Sequence, residues 1–230
     1  SRGLGDVYKR QESDLIGSRE VPESALYGVQ TLRGIENFRI SKFHLNEYPL
    51  FIQALAITKM GAAVANRELD LLTEEQTDAI LRACKEILEG KHHEQFPVDM
   101  IQGGAGTTTN MNINEVVANR ALELMGHQRG EYQYCSPNDH VNRSQSTNDA
   151  YPTAIHIGLY YTHLKLVKHF EVLIEAFRKK GREFAHIIKM GRTQLEDAVP
   201  MTLGQTFNGF ASILEHEVKN LDFAAQDFLT

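Results

Sequence analysis

Hydrophobic residues recur at helical spacing along most of the chain, and two of these patterns are unusually long. Steps of three, four and seven residues predict one helix with Pro152 in its first turn and another that follows Pro200. Both patterns carry apolar residues on more than one face, so we expect a helical bundle whose faces are covered by helices outside this chain or by other subunits. The first pattern consists of Ile155, Leu159, Leu166, Phe170, Leu173, Phe177, Phe184 and Ile188 and ends at Gly191, and the second of Leu203, Phe207, Phe210, Leu214, Val218, Leu221, Ala225 and Phe228.

Shorter helices are predicted ahead of these two. The first is an Ala-rich apolar stretch over residues 49–66. The second begins at a capping box, in which Thr73 and Gln76 satisfy each other's free backbone donors, and it ends at Gly90. The third covers residues 110–125. No run of alternating apolar and polar residues is long enough to predict a strand, so the predicted fold class is all-α.

The same patterns divide the chain into three parts. Residues 1–11 lack any periodicity, and we expect them to be a disordered or extraneous leader. Residues 12–145 are predicted to form a mixed N-terminal helical domain. Residues 146–230 are predicted to be the start of a central domain of long helices. Because the last helical pattern has not stopped at residue 230, we expect the chain to be the N-terminal portion of a longer protein.

Charge and cysteine content exclude several functions. The 230 residues include 24 Lys and Arg against 30 Asp and Glu, a formal net charge of −6. This acidic balance argues against binding to nucleic acid or to an anionic membrane, which favour a basic patch. Two cysteines are too few for a disulfide framework and indicate a reduced, cytoplasmic setting. No apolar run approaches the roughly 18 residues of a membrane span.

Three polar loops beside the predicted helices carry the candidate chemistry. The first, residues 102–110, has three glycines directly before a helix, where free backbone N–H groups favour an anion. It is not a Walker loop, because no Lys follows the last glycine. Taken alone, it is more typical of a Thr-capped helix after a flexible turn. The second loop, residues 136–149, is rich in hydroxyls and amides, and the third, residues 191–197, joins the two long helices.

Other chemical groups along the chain are better explained by structure. Cys84 lies in an apolar helical stripe, which favours a buried thiol over a reactive one. His92 and His93 have no third ligand at metal spacing, which favours an exposed pair over a metal site. No Gly-x-Ser-x-Gly segment occurs, so nothing supports a hydrolase triad.

The three loops and their flanks also carry a resemblance to a known family. The segments GGAGTTTNMNINEVVANRALELMGHQRGEYQY, SPNDHVNRSQSTNDAYPT and KMGRTQLEDAVPMTLGQ closely resemble the aspartase/fumarase superfamily, as does GSREVPESALYGVQTLRGIENF near the front. Within the superfamily, the sequence is most similar to the aspartate ammonia-lyases. The resemblance covers nearly everything from about Glu12 onward.

The resemblance implies the reversible anti-elimination of ammonia from L-aspartate to give fumarate. It implies a homotetramer around a long helical bundle, with each active site built from three subunits. It also implies that no cofactor is required and that a divalent metal such as Mg²⁺ can act as an activator, as it does in many aspartases. The substrate-binding residues that it implies are Thr107 in the first loop, Ser146, Thr147 and Asn148 in the second, and Thr193 and Gln194 in the third.

The residues that match the superfamily do not include the base that removes the substrate proton. The superfamily assigns this role to a serine on a mobile Gly-Ser-Ser loop, followed by a substrate-binding Lys and Asn, and no such segment occurs here. The resemblance therefore implies that this chain holds no catalytic base, and we expect the chain to be inactive by itself. No ligand cluster in the sequence locates a metal.

Three other functions stay open. The nearest is a class II fumarate hydratase, but fumarases use a His at the position of Gln194, whose amide can only form hydrogen bonds. A catalytically silent, crystallin-like assembly protein would not require Thr107 or Thr193. An unrelated anion-binding module rests on the first loop alone. Whether Asn138 and Asp139 form a second dicarboxylate site, as the corresponding loop does in fumarases, is also open.

Overall fold

The computed structural model of the chain describes residues 8–229. It divides into two compact units, one up to residue 158 and the other from residue 159 onward. Helices dominate both units, which confirms the all-α class, and two small antiparallel hairpins accompany them. The helices are α1 Val29–Asn37, α2 Pro49–Glu68, α3 Glu74–Leu88, α4 Thr107–Leu124, α5 Thr147–Glu183 and α6 Leu203–Ala225, and the strands are β1 Lys9–Asp14, β2 Gly17–Pro22, β3 Ile188–Thr193 and β4 Glu196–Thr202. Short 3₁₀ turns lie at Leu45–Glu47, His93–Gln95 and Gln226–Leu229, and a π-helical turn lies at Pro137–Val141.

Helices α2, α3 and α4 enclose the hydrophobic core of the first unit. Leu55 of α2, Ile80 of α3 and Val117 of α4 are fully buried in it. Cys84 is buried in the same core, and burial raises the pKa of its thiol to about 12. The predicted buried, unreactive cysteine is therefore what the fold contains.

The helix boundaries follow the sequence signals closely. The predicted capping box is present, since the Gln76 N–H donates to Thr73 Oγ1 and the Thr73 N–H donates to Gln76 Oε1, both at 3.2 Å. Helix α4 begins at Thr107, three residues before the predicted start, directly after Gly106 in the left-handed conformation. Its end lies just before Gly126, whose φ is +83°, as expected of a glycine after a helix.

A hairpin near the front of the chain was not predicted. Strands β1 and β2 pair antiparallel, so the assignment of residues 9–11 to a leader was wrong. Every residue of β1 is polar, and no alternation of apolar side chains could mark it. Its anchor is Arg10, whose guanidinium donates to the carbonyl oxygens of Pro22 and Tyr27. Residues 1–7 of the predicted leader lie outside the described residues.

The first unit extends to residue 158, past the predicted domain boundary at residue 146. Ala150 and Ala154 on the opening turns of α5 are buried. At Gly158, an added Cβ would lie 3.5 Å from the Cα of Phe51 in α2. Small residues therefore let the start of this long helix pack closely on α2, so the helix belongs to both units.

The second unit is built from the rest of α5, the hairpin β3–β4 and α6. Phe177, Phe184, Phe207 and Phe210 form an aromatic cluster between the two helices, with ring centroids 5.6–6.2 Å apart. Helix α6 starts at a capping box of Thr202 and Gln205. Many large apolar side chains of this unit remain exposed, among them Leu159, Leu164, Leu166, Val172, Leu173, Phe210, Ile213, Leu221 and Phe223.

The chain between the long helices differs from the prediction. Helix α5 ends at Glu183 rather than reaching Gly191, and residues 191–197 form the end of a hairpin instead of a simple turn. Gln194 and Leu195 at its tip have φ of +48° and +66°, the two positive angles of a type I′ turn. Among the described helices, none has the length and apolar content needed to cross a membrane.

Candidate active site

The first loop turns sharply into α4. Gly104, Ala105 and Gly106 have φ of +80°, +52° and +86°, so three successive residues adopt left-handed backbone. For Ala105 this conformation costs about 1–2 kcal/mol. At Gly106, an added Cβ would lie 2.5 Å from the ring of Tyr151 in α5. Glycine is required at this position because the backbone meets an aromatic ring.

An open cleft of about 400 Å³ lies between this loop and the first turn of α5. A volume of this size accommodates a small ligand. Among residues 8–229, no Asp, Glu, Lys or Arg lines the cleft, and partial burial raises the pKa of Tyr151, which keeps its hydroxyl neutral. The lining residues are Met100, Gln102, Ala105, Gly106, Asn148, Tyr151 and Pro152.

Thr107 is exposed at the start of α4, next to Gly106. Its Oγ1 donates to the Gly104 carbonyl at 2.6 Å, and its N–H donates to the same oxygen at 3.1 Å. The N–H of Thr109 donates to Gln102 Oε1 at 2.9 Å. The helix start therefore uses two of the N–H groups that the sequence suggested for an anion. A ligand that takes the Thr107 hydroxyl has to displace the Gly104 carbonyl.

Asp99 holds the beginning of the first loop. Its carboxylate accepts hydrogen bonds from the backbone N–H groups of Ile40, Ser41 and Ile101 and from the Ser41 hydroxyl. Burial acts to raise the pKa of Asp99, but these hydrogen bonds outweigh it and lower the pKa to about 2. The carboxylate is ionised, and its oxygens are engaged by the fold rather than directed at the cleft.

Ser146, Thr147 and Asn148 lie together where α5 begins. Ser146 Oγ accepts from the N–H of Asn148 at 3.1 Å, and the Asn148 side chain lines the cleft. Thr147 is half-buried, and its Oγ1 accepts from Asn110 Nδ2 at 3.1 Å. Because a hydroxyl has one proton and two lone pairs, Thr147 keeps its own proton for another acceptor. The second loop thus presents a hydroxyl donor at the residue before Asn148, which lines the cleft.

Lys59 contacts the second loop, and the sequence pattern did not single it out. It is fully buried in α2, and its Nζ donates to Asn110 Oδ1 at 2.8 Å. It also donates to Asn142 Oδ1 and Gln145 Oε1, each at 3.0 Å. Burial lowers the pKa of Lys59 to about 7. The signal in the sequence was a single lysine inside an Ala-rich apolar stretch.

The front of the second loop is a tight π-helical turn. Ser136 Oγ accepts from the N–H groups of Asn138 and Asp139 and donates to Asp139 Oδ2 at 3.0 Å. The Ser136 N–H donates to His140 Nδ1 at 2.7 Å. Asn138 and Asp139 are exposed, so their side chains face solvent from a fixed backbone. A second dicarboxylate site here stays a prediction.

Thr193 and Gln194 belong to the second unit. Thr193 is the last residue of β3 and pairs with Glu196, and Gln194 follows in the turn. Both side chains are exposed. The structure thus groups the other four predicted substrate-binding residues in the first unit and places these two at the tip of a hairpin.

His92 and His93 are half-buried rather than exposed as predicted, because both have structural partners. His92 Nε2 lies 2.9 Å from Glu86 Oε2, and His93 Nε2 lies 2.9 Å from the carbonyl oxygen of Ile87. Within residues 8–229, no three His, Cys, Asp or Glu side chains converge as metal ligands do.

Comparison with known proteins defines the class. The sequence model of the Lyase family matches residues 17–230. An aspartate ammonia-lyase from Pseudomonas canavaninivorans is 57% identical over 221 residues, which are 96% of this chain and 47% of that protein. The crystal structure of fumarate lyase:delta crystallin from Brucella melitensis has a TM-score of 0.93 and 51% identity, over 96% of this chain and 51% of that chain. Class II fumarase from Schistosoma mansoni has a TM-score of 0.83 and 37% identity, over 92% and 44%.

The chain therefore belongs to the Lyase family, which confirms the resemblance of its motifs to the aspartase/fumarase superfamily. Its sequence is similar to curated aspartate ammonia-lyases of several bacteria, including that of Escherichia coli at 56% identity. The chain spans about half the length of the curated relatives it matches.

Proposed function

We propose that the protein is a carbon–nitrogen lyase that converts L-aspartate to fumarate and ammonia. The observation that carries the proposal is a single cleft at which Ala105 and Gly106 of the Gly-rich turn meet Asn148 of the second loop, with Gln102 and Tyr151 as further neutral polar groups. The greater identity to aspartate ammonia-lyases than to a class II fumarase supports deamination over hydration. The amide of Gln194 supports it as well, because an amide cannot transfer a proton as an imidazole does.

Each predicted residue has a role in this proposal. Thr107 and Thr147 donate hydroxyl protons to the carboxylates of the substrate, and Ser146 and Asn148 complete the contact at the start of α5. In the assembled enzyme, Thr193 and Gln194 provide the third segment of the substrate site.

Neutral donors suit the chemistry of this reaction. Removing a proton next to a carboxylate produces an intermediate with growing negative charge on that carboxylate. A preorganised donor directed at such charge contributes about 2.7–4 kcal/mol in the transition state. No residue from 102 to 112 is ionised, so the first loop adds no charge that would repel the intermediate.

The proposal also covers the catalytic base, the assembly and the metal requirement of the enzyme. The superfamily's serine base is not among these residues, so we propose that the 230-residue chain alone has no catalytic residue and no turnover. A homotetramer with shared active sites would cover the exposed apolar faces of α5 and α6. We further propose a cytoplasmic enzyme that needs no cofactor and that divalent metal such as Mg²⁺ activates.

The test follows fumarate absorbance. The full-length chain that contains these residues is given L-aspartate or L-malate, and ammonium is measured in parallel. We expect fumarate and ammonium in equal amounts from aspartate and no fumarate from malate. Fumarate from malate alone would instead establish a hydratase, and no reaction with either substrate would favour a non-catalytic relative.

A matched pair of variants tests the site. Thr147→Val removes the hydroxyl at nearly constant volume and is expected to lower kcat/KM about 100-fold. Thr153→Val is the control, since Thr153 lies on the same helix and its hydroxyl donates only to the Asp149 carbonyl in the structure. Equal activity of the two variants would show that the Thr147 hydroxyl does not contact the substrate.

A further inference from the structure

The ammonium of Lys59 stands out as a buried cation with no acidic partner among residues 8–229. It is fully buried, and its three hydrogen bonds all go to amide oxygens. A lysine ammonium has three donors, so the three amides of Asn110, Asn142 and Gln145 satisfy it completely. Burying a charge without a counter-ion is costly, and a residue that serves packing alone is usually apolar. A buried amine held by three side-chain amides therefore calls for a function.

The hydrogen bonds from Lys59 set the orientation of the Asn110 amide. Because Asn110 Oδ1 accepts from the ammonium, its NH₂ group has to point the other way. That NH₂ group donates to Asn142 Oδ1 and to Thr147 Oγ1, both at 3.1 Å. With the ammonium removed, Asn110 Oδ1 loses its donor, and only Asn142 Oδ1 still holds the NH₂ group in this orientation, so the flipped amide that presents its oxygen to Thr147 becomes less costly.

The orientation of Asn110 in turn decides whether the Thr147 hydroxyl offers a ligand its proton or a lone pair. When Thr147 Oγ1 accepts from Asn110, the hydroxyl proton is available to a ligand. When the amide is flipped, Thr147 donates to Asn110, and the hydroxyl presents only a lone pair to a carboxylate. Hydrogen bonds aligned in one direction also polarise one another, which strengthens the last donor.

We propose that Lys59 is a positioning residue of the substrate site, whose ammonium orients Asn110 so that the Thr147 hydroxyl donates to a substrate carboxylate. This inference rests on the proposed function, in which Thr147 contacts a dicarboxylate. The direction of donation runs from Lys59 through Asn110 to Thr147 and then to the ligand.

A double-mutant cycle in the full-length chain tests this inference. Lys59→Met removes the charge at similar length, and we expect kcat/KM for L-aspartate and the affinity for succinate to fall about 10- to 100-fold. In a Thr147→Val background, the same change is expected to cost less than about 3-fold, because its effect passes through the hydroxyl. Equal losses in both backgrounds would mean that Lys59 only supports the fold, and the inference would be overturned.

The control is a second buried polar residue on the same helix. Asn66 lies two turns after Lys59, is also buried, and donates to the Arg143 carbonyl in the same loop. Asn66→Leu is expected to lower stability while leaving succinate affinity within about 3-fold of the unaltered protein. Should Lys59→Met fail to fold, Gln145→Leu removes one acceptor at a partly exposed position. It is expected to show the same dependence on Thr147, with a loss of about 10-fold.

The two proposals fail in different ways. Absence of fumarate formation by the unaltered full-length protein would refute the proposed function. The affinity of the same variants for succinate, measured by calorimetry, gives the double-mutant cycle without any catalysed reaction. Unaltered succinate affinity in both Lys59→Met and Gln145→Leu would refute the role of Lys59, whatever reaction the protein catalyses.

Discussion

The carboxylate of Glu115 in α4 accepts a hydrogen bond from the backbone N–H of Gly28 at 2.8 Å. It accepts two more from the N–H groups of Gln30 and Thr31, so a buried side chain of one helix caps the start of α1. Burial raises the pKa of Glu115 to about 7, and the three N–H donors act to lower it. The contact joins residues more than 80 positions apart and fixes the N-terminal segment on the core.

Glu115→Gln should destabilise the fold. The amide keeps one acceptor but turns an NH₂ group toward backbone donors, and a buried unsatisfied group costs about 1–3 kcal/mol. Chemical unfolding of the two proteins measures this difference. The control is Glu68→Gln, at an exposed position of α2, which should change stability by less than about 0.5 kcal/mol. Equal stabilities of the two variants would show that the cap contributes nothing.

Gly106→Ala should be costly for two separable reasons. The φ of +86° disfavours any side chain by about 1 kcal/mol, and the added Cβ would meet the Tyr151 ring. Gly126→Ala is the matched control, since Gly126 has φ of +83° and open space around its Cβ position. We expect Gly106→Ala to cost about 1–3 kcal/mol more than the control in unfolding experiments. Gly106→Ala combined with Tyr151→Ala should recover most of that excess; no recovery would place the cost in the backbone alone.

The ion pair of Glu86 and Arg120 predicts a defined acid sensitivity. The hydrogen bond from Arg120 is the main cause that lowers the pKa of Glu86 from 4.5 to about 2. A lowered carboxylate pKa stabilises the folded state above the unfolded value near 4.5. This contribution disappears as the pH falls from 4.5 toward 2. Because both side chains are partly exposed, we expect about 1 kcal/mol. Glu86→Gln should therefore flatten the loss of stability below pH 4.5, and an unchanged pH profile would contradict the assignment.

Both cysteines should be unreactive in the folded protein. Cys84 and Cys135 are buried, and burial raises the pKa of each thiol to about 12. Thiolate is the reactive form, so neither thiol should react with a disulfide reagent near neutral pH. Denaturant should release both for reaction in a single phase. Rapid labelling of one thiol under native conditions would show that its part of the core opens locally.

Sequence periodicity was reliable wherever one helix buries a continuous stripe. The capping box at Thr73 and the glycine at Gly126 act through bonds within a few residues, so their sequence signature is local. The hairpin β1–β2 was invisible because its residues are polar and Arg10 anchors it by contacts made further along the chain. The end of α5 was misplaced because apolar residues continue at helical spacing into β3.

The candidate site shows the same division. Motif resemblance identified Thr107 and the Ser146–Asn148 segment, and the fold places Asn148 on the cleft and Thr107 directly after Gly106, which also lines it. Motif resemblance gave no indication of Lys59, because the sequence around a helical lysine does not show which three amides will surround it in the fold. Those amides come from two distant segments, and only their convergence gives the charge a role.

The sequence by itself determined the helical class, most helix boundaries and the chemical types present at the candidate site. These follow from periodicity, capping and the residues available in each loop, which act over a few positions. Tertiary structure decided which groups meet: Glu115 with the start of α1, Gly106 with Tyr151, and Lys59 with Asn110. Such contacts depend on packing between distant segments, and hydrogen-bond direction is fixed only when donors and acceptors are brought together.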